Sequence, residues 1–124
     1  MKRRELIARL GPGDLFHAAF PNGAVRVCIA TSIEDARLSA RSIMTQEDYS
    51  FDRMTGATAP DIDVAVCTID SVHPLPTAIC NSLREIDHRY AMLRGLDELR
   101  LSDAEQRALL DAGSLFETNP LPAA

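Results

Sequence analysis

Residues 19–33 read AFPNGAVRVCIATSI. Past Pro21-Asn22-Gly23, the residues Val25, Val27, Ile29, Thr31 and Ile33 fall at every second position, with Arg26, Cys28, Ala30 and Ser32 between them. Period two marks a strand whose two faces differ in surroundings. Asn-Gly suits a type I′ hairpin turn, in which both central residues need positive φ, so Asn22–Gly23 is expected to fold this strand onto the one before it. That earlier strand begins at Asp14, after the break Gly11-Pro12-Gly13. In it Phe16, Ala18 and Phe20 alternate with Leu15, His17 and Ala19, and the first set, being more apolar, reads as the inner face.

Working outward, RRELIARL is a short helix-permissive stretch before the hairpin, with Leu6, Ile7 and Leu10 on one side. After the hairpin, Ile33 to Asp35 turns the chain into a strand ARLSARSIM. Here Leu38, Ala40 and Met44 share one face and Arg37, Arg41 and Ile43 the other. A short strand follows from Tyr49, then a loop TGATAPDID. Val64 to Ile69 is apolar on both faces, the pattern of a strand covered from both sides, and is expected at the centre of the sheet.

The second half reads as helices. After Pro76, the residues Ile79, Leu83, Ile86, Tyr90 and Leu93 form one stripe, with Arg84, Glu85, Asp87, His88 and Arg89 on the water side and Gly95 as the stop. The stripe is expected to roof the Val64 strand. SDAE at Ser102–Glu105 is a capping box opening the last helix, which Gly113 is expected to close. Strands first and helices after give an α+β fold: a strongly bent antiparallel sheet, or small partly open barrel, of about five strands followed by two C-terminal helices. The expected organisation is a single domain over 1–124, with an N-terminal segment 1–13, a β-rich part 14–72, a helical part 75–113 and a mobile tail 114–124. The run GDLFHAAFPNGA resembles the first hairpin of small SH3-like barrels over about a tenth of the chain. The likeness is physically generic and carries no functional residue with it.

Bulk properties narrow the functional classes. The chain has 124 residues, 46% hydrophobic and 25% charged, enough to bury a core without a metal or disulfide. No apolar run approaches the ~20 residues of a membrane span. The basic start MKRRELIARL lacks the apolar region of a secretory signal, so a cytoplasmic address is expected. Net charge is −5, with 8 basic and 7 acidic residues in 1–60 but 5 and 11 in 61–124. Such an acidic half repels phosphate backbones, which argues against nucleic acid as a partner. Three cysteines, each inside an apolar segment, read as reduced, buried thiols.

Candidate chemistry is sparse. Cys67, His73, Cys80 and His88 are zinc-ligand types, but the 5, 6 and 7 residues between them match no paired ligand spacing, and Cys80 and His88 would lie about 12 Å apart on one helix. No metal and no cofactor is expected. Cys67, Asp70 and His73 near a strand end are the residue types of a thiol nucleophile, a base and its orienting carboxylate, without a glycine-rich oxyanion turn. Arg37 and Arg41 project to one side of a strand, and Arg26 and Arg53 from neighbouring strands can extend them into a row that pairs with carboxylates or phosphates. The leading expectation is a small cytoplasmic binding or assembly module, not an enzyme, using Arg26, Arg37, Arg41 and Arg53 toward a protein or acidic ligand. The alternatives are a Cys/His-dependent hydrolase or transferase through Cys67, Asp70 and His73, and a structural homodimer through leftover apolar helix surface.

Overall fold

The computed structural model describes residues 1–58, 67–93 and 100–122. A short helix α1 (Arg3–Ala8) precedes strands β1 (Leu15–Ala19), β2 (Val25–Glu34), β3 (Arg37–Ser42), β4 (Asp48–Asp52) and β5 (Thr68–Ser71), and helices α2 (Thr77–Met92) and α3 (Asp103–Thr118) follow. The strands form one antiparallel sheet in the order β4-β3-β2-β1-β5.

The sheet is curled into a half-barrel, and the aromatic side chains show how far. Phe16 of β1 and Phe51 of β4 pack edge to face with centroids 5.5 Å apart, although β2 and β3 lie between their strands. In a flat sheet, strands spaced at ~4.8 Å would hold them roughly 14 Å apart. The inside of the curl is a core of Phe16, Ala18, Cys28, Ala30, Leu38 and Phe51, closed at one end by Ile7 and Leu10 from α1 and the residues after it. Across the open seam, Gly56–Thr58 stitches β4 to β5: the Ile69 N–H donates to the Gly56 carbonyl at 2.8 Å and the Thr58 N–H to the Cys67 carbonyl at 2.9 Å.

The convex face is covered too. Leu15, Ile29 and Ile43 pack under Leu83 and Ile86 of α2 and Ala112 and Phe116 of α3. The stripe after Pro76 is therefore a roof, but over β1 and β2. The expectation that it covers a central Val64–Ile69 strand is corrected, because β5 is at the end of the strand order and takes a helix contact from α3. Residues 64–66 of that expected strand, and Gly95, lie outside the described residues.

Three local expectations change for physical reasons. The β1–β2 turn is a three-residue loop, Pro21-Asn22-Gly23, closed by the Phe20 N–H to the Ala24 carbonyl at 2.8 Å. Only Gly23 is left-handed (φ +91°), while Asn22 instead accepts the Ala24 N–H on its side-chain oxygen at 2.9 Å, so the turn is not type I′. In β2 a bulge at Thr31 shifts the alternation, so Ile33 rejoins the inside of the curl with Leu38 as its partner. Helix α3 runs through Gly113 to Thr118. A mid-helix glycine costs roughly 1 kcal/mol against alanine, which burial of Ala112 and Phe116 on either side outweighs. The segment beyond it is docked: the Leu121 N–H donates to the Asp70 carbonyl at 2.7 Å and its side chain packs on the inner core. The capping box forms as expected, with the Glu105 N–H donating to Ser102 Oγ at 3.2 Å and the Ser102 N–H to Glu105 Oε1 at 3.0 Å.

Candidate functional site

A cleft of about 370 Å³ opens where four parts of the chain meet. Leu6, Arg9 and Leu10 come from α1 and its end. Asp14 and Leu15 come from the start of β1. Val72 to Leu75 descend from β5, and Cys80 and Arg84 stand one turn apart on α2.

The turn that breaks the sequence between α1 and β1 holds the cleft together. Gly13 exchanges with β2 through its N–H to the Ala30 carbonyl at 2.8 Å, and Asp14 through its carbonyl from the Ala30 N–H at 2.8 Å. Asp14 Oδ2 accepts the Gly11 N–H at 2.8 Å. Arg84 Nε donates to the Gly13 carbonyl at 3.2 Å, tying α2 to the same turn. The Cys80 thiol donates to the Leu75 carbonyl at 3.6 Å. The walls are apolar; the charged groups are the guanidiniums of Arg9 and Arg84 and the carboxylate of Asp14, with His73 beside them. Arg9 is exposed, its backbone N–H donates to the Leu6 carbonyl at 3.3 Å, and its side chain has no hydrogen-bond or ion-pair partner among the described residues.

The four arginines expected in a row are distributed over both faces of the sheet. Arg26 stands on the inner face, opposite Ala18, with its guanidinium 5.3 Å from the centre of the Phe20 ring. Arg41 is opposite Ile29 on the convex face and forms a two-pronged pair with Asp87 of α2, Nε to Oδ1 at 2.9 Å and Nη2 to Oδ2 at 2.7 Å. Gln46 Nε2 adds a third bond to Asp87 at 3.0 Å. Arg53 donates to the Ala8 carbonyl at 2.8 Å, satisfying the last turn of α1. Arg37 is exposed at the β3 start, 3.4 Å from Ser50 Oγ.

Asp87, expected on the wet side of α2, is only 4% exposed. Burial would raise its carboxyl, but the hydrogen bonds from Arg41 and Gln46 and the Arg41 charge overcome this and hold it below the ordinary carboxylate value. The bond to Asp87 in turn raises Arg41.

Cys67, Asp70 and His73 are not brought together. Cys67 is buried on the inner face, where desolvation, opposed by Arg26, pushes its thiol up to about 11. Its neighbour Cys28 is raised further, by burial first and by Cys67 second. Both shifts disfavour the thiolate that nucleophilic attack requires. Asp70 is the extra residue of a β-bulge, since Ala18 pairs with Ile69 and His17 with Ser71. The bulge turns its carboxylate to His17, with Oδ1 and Nδ1 2.7 Å apart. His73 lines the cleft instead. His17, 1% exposed and stacked on Phe116 with centroids 5.5 Å apart, has no distinguishing mark in the sequence beyond its place in an alternating strand.

Among the described residues, no three or more His, Cys, Asp or Glu side chains gather as metal ligands, and no helix is long and apolar enough to cross a membrane. Comparison with protein-family models, curated proteins and solved structures finds no match.

Proposed function

We propose that this protein is a non-catalytic binding module and that its site is the cleft between α1 and α2. The observation that carries the reading is the cleft itself: an apolar concavity of about 370 Å³ with a few polar groups on its walls, in the size range of small-molecule sites. Its walls come from four separate parts of the chain, with the Gly13–Asp14 turn bonded to β2 by backbone and to α2 through the Arg84 side chain, which supports a pre-formed cavity whose filling loses little ordering entropy. The arginines committed to Asp87 and Ala8 leave Arg9 as the better-placed cation for an acidic ligand. Three free cysteines, two of them deep in the core, suit a reducing compartment such as the cytoplasm.

Amide NMR of the labelled full chain, titrated with acidic and neutral small-molecule fragments, tests this. Shift changes should gather at Val72–Leu75, Cys80 and Arg84. Changes gathered on β3 and β4 around Arg37 would move the site to the sheet. Hydrolysis of p-nitrophenyl acetate that disappears in Cys67→Ser would overturn the non-catalytic reading.

A further inference from the structure

We infer that the ligand of this cleft is a small amphiphilic monoanion, a carboxylate carried on an unbranched or aromatic apolar body; the inference rests on the cleft being the binding site. The size of the cavity admits one small molecule and no folded partner. The apolar walls, with Leu6, Leu10, Val72 and Leu75 among them, call for a body that gains by leaving water.

Charge selects the head. The cleft is lined by two guanidinium side chains, Arg9 and Arg84, and one carboxylate, Asp14, an excess of one positive charge among its Asp and Arg residues, on a chain whose net charge is −5. A locally positive cleft on an acidic molecule raises the local concentration of anions there. Arg84 is oriented by its Nε bond to the Gly13 carbonyl, so its guanidinium is a fixed partner, whereas the Arg9 side chain, with no partner among the described residues, can swing onto a carboxylate. Asp14 sets the limit on the other side. Its carboxylate, held in place by the Gly11 N–H, repels a second negative charge on the ligand. Nucleotides and other polyanions are therefore disfavoured, and an ammonium head on the same apolar body meets two like charges.

The experiment compares decanoate, decylammonium, acetate and octaglutamate against the full chain, below the concentrations at which the decyl compounds aggregate. Two readings are taken: calorimetric affinity, and protection of Cys80 from iodoacetamide, which places the ligand in the cleft. Decanoate should bind and protect Cys80, decylammonium should be at least tenfold weaker, and acetate should show no binding. Arg9→Glu, at an exposed position whose side chain has no partner among the described residues, should weaken decanoate at least fivefold with the thermal midpoint unchanged, and Arg84→Glu should weaken it further. Equal binding of the two decyl compounds, or indifference to Arg9→Glu, overturns the monoanion assignment while leaving the cleft as the site. Stronger protection by octaglutamate overturns the small amphiphile in favour of an acidic peptide. Failure of both decyl compounds to protect Cys80 overturns the cleft reading and this inference with it.

Discussion

Nδ1 of His17 lies 2.7 Å from Oδ1 of Asp70, across a β1–β5 ladder that carries an extra residue at Asp70. A carboxylate only accepts hydrogen bonds, so Nδ1 carries the proton. The bulge has two effects at once. It aims the Asp70 side chain at the imidazole, and its carbonyl takes the Leu121 N–H. Ser71, the next residue, donates its hydroxyl to the Asn119 carbonyl at 2.7 Å. Phe116 covers the imidazole, so the end of α3 and the segment after it are fastened at one place on the sheet.

Removal of either side chain of this pair separates packing from hydrogen bonding. His17→Ala deletes a buried ring and its stacking on Phe116, and is expected to cost about 2–4 kcal/mol, near the lower part of the range for large buried side chains. Asp70→Ala leaves a buried imidazole N–H unpaired at about 1–3 kcal/mol. The Asp70 side chain is 40% exposed, so its own desolvation adds little. Urea denaturation of both variants should rank His17→Ala as the more destabilised, and the reverse order would mean that packing against Phe116 contributes little.

The fastening beyond α3 predicts an exchange pattern. The Leu121 amide, bonded to the Asp70 carbonyl, should exchange with solvent far more slowly than an exposed amide. Ser71→Ala removes the bond to Asn119 and should cost about 0.5–1.5 kcal/mol. It should also speed exchange at Leu121 before it affects amides in β2. Unprotected Leu121 in the parent protein would show that the segment is not held.

The fork between Arg41 and Asp87 makes stability depend on acid. The Asp87 carboxyl is lower in the folded chain than its ordinary value of 3.8. Its contribution is therefore complete above the unfolded value and is lost as pH falls through the folded one. Unfolding free energy should decline below about pH 4, and Asp87→Asn should flatten that decline. At neutral pH, Asp87→Ala should cost about 2–3 kcal/mol, below the full figure for a buried pair, because the Arg41 side chain remains 27% exposed and can be partly rehydrated. Chemical denaturation between pH 2 and 7 for parent and variants checks both expectations, and parallel curves for parent and Asp87→Asn would refute the assignment.

How much of this was legible in the chain depends on the range of the interaction. The β1–β2 hairpin, the capping box at Ser102 and the stripe Ile79, Leu83, Ile86 are set by neighbours within one turn or one alternation, and each formed. The two bulges were not legible, because one inserted residue reverses every face assignment after it and leaves no local mark; Ile33 changed sides in this way, and the bulge at Asp70 set its carboxylate against His17. The arginine row dissolved for the same reason of range. Asp87 takes Arg41 from 46 residues away, and Ala8 takes Arg53 from 45. The cleft needs four distant segments to meet, and its residues, a pair of arginines among leucines, carry no spacing that would reveal them.

Two glycines should respond differently to alanine, because one is constrained by backbone alone and the other also by its neighbours. Gly23 in the β1–β2 loop has φ +91° and open space around the site of a Cβ. Gly23→Ala then bears only the left-handed penalty, roughly 1–2 kcal/mol. Gly56, at φ +78°, lies where a Cβ would come within 2.9 Å of Ile7 Cδ1 and 3.5 Å of Ile69 Cβ. Ile7 is fully buried against the inner core, so it has little room to give. The Gly56 carbonyl also accepts the Ile69 N–H that stitches the seam of the half-barrel. Gly56→Ala should therefore add about 1–3 kcal/mol of overpacking to the same backbone penalty. In thermal unfolding the Gly56 variant should melt below the Gly23 variant, with faster amide exchange at Thr58 and Ile69 in the Gly56 variant alone. Equal midpoints would mean that α1 does not press on the seam.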